Sequence, residues 1–205
     1  MKRTERGEST RERLLEAARE EIIQGGGGME LAAVARRAKV SPGLPYRYFA
    51  SKSALLVAVV EAFYDALDDE CYKPTFEEVS DDWWECEKHR IITMVDFFYR
   101  DKLGPFIVSQ IAGDASVVES QQRRLSHQLH GASANLKKGK ELGCVPGHID
   151  EDLCASLLMG GLYQAIIVAL RQIPPISQTR LTKQLVTFMY NVLELGKNDG
   201  PSQAG

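Results

Sequence analysis

The stretch Val34-Ala35-Arg36-Arg37-Ala38-Lys39-Val40-Ser41-Pro42-Gly43-Leu44-Pro45-Tyr46-Arg47-Tyr48-Phe49 decides how this chain is read. Two short apolar-periodic runs flank a tight turn, Lys39-Val40-Ser41. The first covers roughly Leu31–Ala38, with Leu31, Val34, Ala35 and Ala38 on one helical face. The second covers about Pro42–Phe49, with Ser41 as N-cap and Pro42 at the first helical position, where its missing N–H is no loss. Helix, short turn, helix is the geometry that seats a recognition helix in the DNA major groove. Such a unit needs apolar inner positions to fix the crossing angle, and Val34, Ala35, Val40, Leu44 and Phe49 supply them. It needs small or polar outer positions for close backbone approach, which Ser41, Pro42 and Gly43 provide. It also needs donors for phosphate oxygens, and Tyr46, Arg47, Tyr48 and Lys52 cluster there, with Arg37 counted among the DNA-facing residues.

Upstream, Leu14, Leu15, Ala18 and Ile22 fall at helical spacing after Ser9, which with Glu12 forms an S-x-x-E capping box. The run Gly25–Gly28 stops that helix, because four glycines cost too much backbone entropy to continue it. It is no phosphate loop: no Gly-Lys-Ser/Thr follows and no strand precedes it. Downstream, a break at Ala50-Ser51 leads, with Ser51 as cap, into a longer helix from Lys52 to about Glu70. Lys73-Pro74 and the acidic Glu77–Asp82 stretch read as a linker. Helical patterns follow at about 81–101, 105–113, 116–141, 150–172 and 177–196, interrupted at Gly143–Gly147 and Pro174-Pro175. Val118, Leu125, Leu129, Ala132 and Leu136 stripe the long middle helix. No strand-length alternation and no internal repeat stands out. The expected fold is all-α, with a three-helix helix-turn-helix domain at 1–52 and a connecting helix at 53–72. A helical ligand-binding and dimerisation domain at 73–196 and a disordered tail at 197–205 complete it.

The chain has 205 residues, 44% of them hydrophobic and 26% charged, a balance that supports a globular core. The net charge of -3 conceals an asymmetry. Residues 1–60 carry 11 Lys/Arg against 7 Asp/Glu, and the remainder 14 against 21. A basic head on an acidic body suggests that only the head meets a polyanion. No apolar run is expected to approach the ~20 residues needed to span a bilayer, and the charged start is no secretory signal. The expected compartment is the cytoplasm, where the four scattered cysteines (Cys71, Cys86, Cys144, Cys154) stay reduced.

The quoted stretch, with Ser51-Lys52 and Leu55-Leu56 after it, resembles the N-terminal DNA-binding domain of the TetR (tetracycline-repressor-like) family of bacterial transcriptional regulators. Tyr-x-Tyr-Phe, a Lys three residues later and a Leu pair soon after carry the resemblance, over about residues 9–60. It implies a homodimer whose two recognition helices read a palindromic operator, with half-sites about 34–36 Å apart or a multiple of that. It implies that Pro42, Gly43, Leu44, Tyr46, Arg47 and Tyr48 face DNA and that Lys52 meets a phosphate. Arg47 is the best candidate for base reading, through a bidentate contact to guanine; Tyr46, Tyr48 and Lys52 are positioning contacts. Three positions depart from the family pattern. Glu30 stands where a Thr or Ser usually caps the second helix, Lys39 replaces the turn glycine, and Pro45 removes a hydrogen bond early in the recognition helix.

The resemblance further implies a second domain holding an effector pocket and the dimer surface. Trp84, Met94, Phe97, Phe98, Phe106 and Tyr163 are candidate lining residues, since ligand sites are mostly apolar with a few polar groups. The last two long helices suit dimerisation in a four-helix seam, with Leu157, Gly160, Gly161, Ile167, Leu185, Phe188, Met189 and Val192 as candidate interface residues. The expected function is a dimeric repressor released from its operator by a small-molecule effector, with no cofactor and no membrane partner. Cys86/His89, His127/His130 and Cys144/His148 have spacings that could share a metal, but none has the doubled CxxC form, so no metal site is expected. No Gly-x-Ser-x-Gly elbow, His-Glu-x-x-His or dinucleotide fingerprint is present, which argues against an enzyme. The competing readings are a small-molecule sensor whose helix-turn-helix no longer reads DNA, motivated by Glu30, and a metal-dependent switch.

Overall fold

A computed structural model describes residues 5–73, 76–108 and 115–195. Among these the chain forms helices and no strand: α1 (Glu5–Gln24), α2 (Leu31–Arg37), α3 (Pro45–Tyr48), α4 (Lys52–Tyr72), α5 (Phe76–Val79), α6 (Trp83–Arg100), α7 (Gly104–Ile107), α8 (Ala115–Glu141), α9 (Glu151–Arg171) and α10 (Gln178–Val192). The fold is all-α, as expected. Two compact units are distinguished, one made of residues 1–68 and 100–122, the other of 69–99 and 123–205. The expected tail at 197–205 and the end of the helix expected at 105–113 lie outside the described residues.

In the first unit, α1 is already helical at Glu5, so Ser9 and Glu12 sit inside the helix instead of boxing its start. The single Gly7 ahead of them costs only ~1 kcal/mol, too little to halt a run of Glu and Arg. The helix ends at Gln24 as the glycines begin. Gly26 takes φ 63°, a left-handed conformation that favours glycine, and the Gly27 N–H closes the turn on the Ile22 carbonyl at 2.8 Å. Packing of α1 on α2 buries Leu14, Ala18 and Ile22 together with Val34 and Ala35. Phe49 is buried as well, with the Arg11 guanidinium 5.5 Å from the centre of its ring. The Ser51 hydroxyl caps α4 by accepting from the Ala54 N–H at 3.0 Å. Further along the chain, Arg19 Nη2 of α1 lies 2.6 Å from Asp101 Oδ1, which also accepts the Leu103 N–H.

In the second unit, the starts of α6, α9 and α10 are each capped by a side chain: Asp82, Asp150 and Ser177 accept from the N–H groups of Glu85, Leu153 and Arg180. Trp83 is sealed inside, and Gly139 of α8 is what admits it. A Cβ at Gly139 would stand 2.9 Å from two indole carbons and 2.7 Å from Val145 Cγ2. One turn further on, the buried Glu87 carboxylate is ion-paired with Arg90 and hydrogen-bonded by Asn135, and burial still pushes its pKa up. Burial likewise raises the thiols of Cys86 and Cys154, which keeps them protonated and poor nucleophiles.

One expectation needs correcting. α9 is long and apolar enough to cross a bilayer by length and composition, because no charged residue interrupts Leu153–Leu170. In this fold α9 packs against α10 and buries Leu158, Leu162, Ile166 and Ala169. A core helix has the same composition as a membrane span for the same reason, the removal of apolar surface from water.

Candidate nucleic-acid interface

The turn between α2 and α3 is held from both sides. Ala38 ends α2 with its N–H on the Val34 carbonyl at 2.8 Å, and the Val40 N–H reaches back to Ala35 at 3.0 Å. Between them Lys39 takes φ 54°, the conformation that the usual glycine would adopt freely. The Arg13 guanidinium of α1 donates to the Ala38 carbonyl, adding a cation at the C-terminus of α2.

The recognition element is shorter than expected. Pro42 and Gly43 belong to a turn closed by the Leu44 N–H on the Ser41 carbonyl at 2.9 Å, and α-helix runs only from Pro45 to Tyr48. The cause is Pro45, which has no N–H to bond back to Ser41 and so splits one expected helix into a turn and a single helical turn. Pro45, not Pro42, therefore occupies the first helical position. Of the inner apolar residues, Val34, Ala35 and Phe49 are buried, whereas Val40 and Leu44 are half-buried.

Ser41, Pro42, Gly43, Tyr46, Arg47 and Lys52 are exposed, and Leu44 and Tyr48 are half-buried. Tyr46 shows 61% of its surface, unusual for so large a side chain in a folded chain. Nothing lies within 4 Å of where a Cβ on Gly43 would project, so the backbone there is bare toward solvent. The three expected DNA-facing cations differ in their surroundings. Arg37 lines a cleft of about 340 Å³ with Arg13, Glu16, Glu20 and Lys39, and its guanidinium donates to Glu21 at 3.2 Å and Gln24 at 2.7 Å. Lys52 Nζ lies 2.8 Å from Glu30 Oε1. The Arg47 backbone N–H donates to the Leu44 carbonyl at 3.0 Å, but its guanidinium has no hydrogen-bond or ion-pair partner among the described residues. Two further exposed cations, Arg36 and Lys39, flank the turn; the sequence carried them in plain view, but helical spacing does not say on which side they emerge.

The expected pocket residues separate. Phe106 sorts with the first unit, on α7, and the other five with the second. There Phe98 stands edge-on to Phe97 and to Tyr163, whose hydroxyl donates to Gln128 at 3.1 Å. Met94 is buried on the same helix, while Trp84 pairs instead with Tyr190 at 5.4 Å. The expected interface residues divide too. Leu185 and Met189 are buried in the unit's own core, whereas Leu157 (70% exposed), Gly160, Gly161 and Phe188 stay at the surface, with Ile167 and Val192 half-buried. No group of three metal-ligating side chains forms among the described residues.

Residues 14–59 match the family model of bacterial regulatory proteins, tetR family. No curated protein matches the sequence. Over nearly the whole chain, the fold is similar to a TetR-family transcriptional regulator of Syntrophomonas wolfei (TM-score 0.75, 16% identity, covering 90% of this chain and 95% of that one). It is similar also to SmeT of Stenotrophomonas maltophilia, the repressor of the multidrug efflux pump SmeDEF (TM-score 0.74, 19% identity, 88% of each chain). A third likeness is to FadR of Bacillus subtilis, solved with stearoyl-CoA (TM-score 0.69, 15% identity, 89% of this chain and 97% of that one). Residues 14–59 are thus similar to the tetR family of bacterial regulatory proteins, and the chain as a whole shares the fold of the solved TetR-family transcriptional regulators.

Proposed function

We propose that this chain is a dimeric, sequence-specific repressor of the TetR type that works in the cytoplasm and leaves a palindromic operator when a small effector binds. The observation that carries the DNA-binding reading is the exposed set around α3. Bare backbone at Gly43, an outward Tyr46 and an unengaged Arg47 guanidinium lie within one tight turn and one helical turn. Arg47 serves as the base-reading residue, and Ser41, Tyr46, Tyr48 and Lys52 position the unit on phosphates. Arg37, held by α1, reaches a phosphate only by leaving Glu21 and Gln24.

Dimerisation is assigned to the open apolar face of α9 and α10, where Leu157 and Phe188 remain exposed and Gly160 and Gly161 permit close approach. The effector is assigned to the aromatic cluster of Phe97, Phe98 and Tyr163, which suits a largely apolar molecule. FadR, solved with stearoyl-CoA, and SmeT, a multidrug-pump repressor, lend that class support. Release requires the effector to favour a DNA-incompetent state, a coupling of typically ~1–3 kcal/mol.

Selection of bound duplexes from a random-sequence pool, followed by footprinting, tests this reading. The expected product is a palindrome whose half-sites lie one turn of about 10 base pairs apart, or a multiple of it. Recovery of unrelated sequences that are lost together as salt rises supports the competing sensor reading instead.

A further inference from the structure

The residue that precedes α2 is an acid that caps nothing. Glu30 has the extended backbone of an N-cap (φ -120°, ψ 128°), yet its side chain accepts no hydrogen bond from the helix it introduces. Short side chains reach the free N–H groups of a first turn, and glutamate is too long to do so economically. The carboxylate instead lies 2.8 Å from the ammonium of Lys52, across 22 residues of sequence. Both ends of the pair are open to solvent, Glu30 at 79% and Lys52 at 50%, so no core packing drives them together. Meanwhile Arg47, five residues before Lys52, carries no such partner among the described residues.

Resting on the DNA-binding reading above, we infer that Glu30 is an internal stand-in for a DNA phosphate, an attenuator that occupies the Lys52 ammonium in the free protein. A phosphate oxygen and a carboxylate oxygen seek the same donor at the same distance. When a duplex arrives, Glu30 has to yield Lys52 before that ammonium can meet a phosphate. An exposed ion pair is weak, so this is not a lock. It lowers the gain from one backbone contact, and because phosphates are common to every duplex, it lowers affinity irrespective of sequence. Base discrimination, which Arg47 performs, is untouched; residence on random DNA is what falls.

The test is a salt titration of wild type, Glu30→Gln, Lys52→Gln and the double variant against a labelled random-sequence duplex of roughly 30 base pairs, long enough for two half-sites. Gln at position 30 keeps the shape of the side chain and removes the charge; a thermal melt checks that each variant is folded. Glu30→Gln is expected to bind about three- to tenfold tighter at low salt and to steepen the log–log salt slope by about two, one for each protomer's Lys52. In the Lys52→Gln background, removing the Glu30 charge is expected to change affinity by less than about twofold, because the partner is gone. Unchanged affinity of Glu30→Gln overturns the inference while the DNA-binding reading stands. A gain that persists without Lys52 also overturns it, since Glu30 would then act by diffuse repulsion. If folded wild type and Glu30→Gln both ignore the duplex at low salt, the DNA-binding reading itself falls, and the inference with it.

Discussion

The Arg13 guanidinium on α1 donates to the carbonyl oxygen of Ala38, the residue that ends α2 and immediately precedes Lys39. Lys39 takes φ 54°, a conformation that costs an L-residue roughly 1–2 kcal/mol. The α1–α2 contact therefore holds in place a turn whose own residue resists it. Lys39→Gly removes the strain and is expected to raise unfolding free energy by about 0.5–1 kcal/mol, after the extra freedom of glycine in the unfolded chain is offset. Arg13→Ala removes the tether and is expected to lower it by about 1 kcal/mol. Urea unfolding of both variants checks the pair; a destabilising Lys39→Gly contradicts the strained turn.

Two glycines on α8 are expected to respond to alanine with opposite signs. At Gly131 nothing lies within 4 Å of the added Cβ, so only helix propensity acts and Gly131→Ala gains about 0.5–1 kcal/mol. At Gly139 the added Cβ meets the fully buried Trp83 ring at 2.9 Å and Val145 at 2.7 Å. Overpacking of this kind costs about 1–3 kcal/mol, which outweighs the propensity gain. Denaturation followed by tryptophan fluorescence reads both, and equal shifts in the two variants would refute the close approach.

Much of this architecture is legible in the residues themselves, and what is not has a common cause. The α2 periodicity, the Ser51 cap and the glycine stop after α1 are local, so their spacing is enough. The split at Pro45 is local too, but it takes the missing N–H to be weighed against a run that otherwise reads as helix. The pairings Lys52–Glu30 and Arg37–Glu21, and the Arg13 tether, depend on how helices far apart in sequence cross, which no spacing encodes. Trp83 and Trp84 are neighbours, yet one is sealed and the other half-exposed; likewise Leu158 is buried and Leu157 bare. On a helix apolar around most of its circumference, periodicity cannot say which side is the core.

Stability should depend on pH through Glu87. Burial pushes its carboxyl above the ordinary value, against the opposing pull of Arg90 and the hydrogen bond from Asn135. A carboxyl that holds its proton more tightly when folded favours folding below its unfolded pKa of about 4.3, and that contribution is lost as pH rises through the folded value. Relative to the non-titrating Glu87→Gln, wild type is therefore expected to lose stability as pH rises from the acid side toward neutrality. Urea midpoints of the two proteins at several pH values give the difference; a wild-type advantage that grows with pH would mean that the Arg90 pair outweighs burial.

If the exposed face of α9 joins two copies, Leu157→Glu places a charge in that seam without touching the unit's own core, since Leu157 is 70% exposed. Sedimentation is expected to show dimers for wild type and monomers for the variant, with thermal unfolding of the monomeric unit little changed. Persistence of the dimer at unchanged affinity would place the interface elsewhere.

The central claim is that α3 reads bases through Arg47. The most direct measurement compares wild type and Arg47→Ala on the operator recovered by selection, on operators changed one base pair at a time, and on random duplex. The expected result is a loss on the operator of roughly 30- to 25,000-fold, the equivalent of about 2–6 kcal/mol carried by two bidentate base contacts, one from each protomer. Discrimination should vanish at one base-pair position in each half-site, the two being related by the operator's symmetry, with affinity for random duplex changed little. An Arg47→Ala protein that keeps the wild-type ratio of operator to random binding, with the same preference at every base pair, would contradict it.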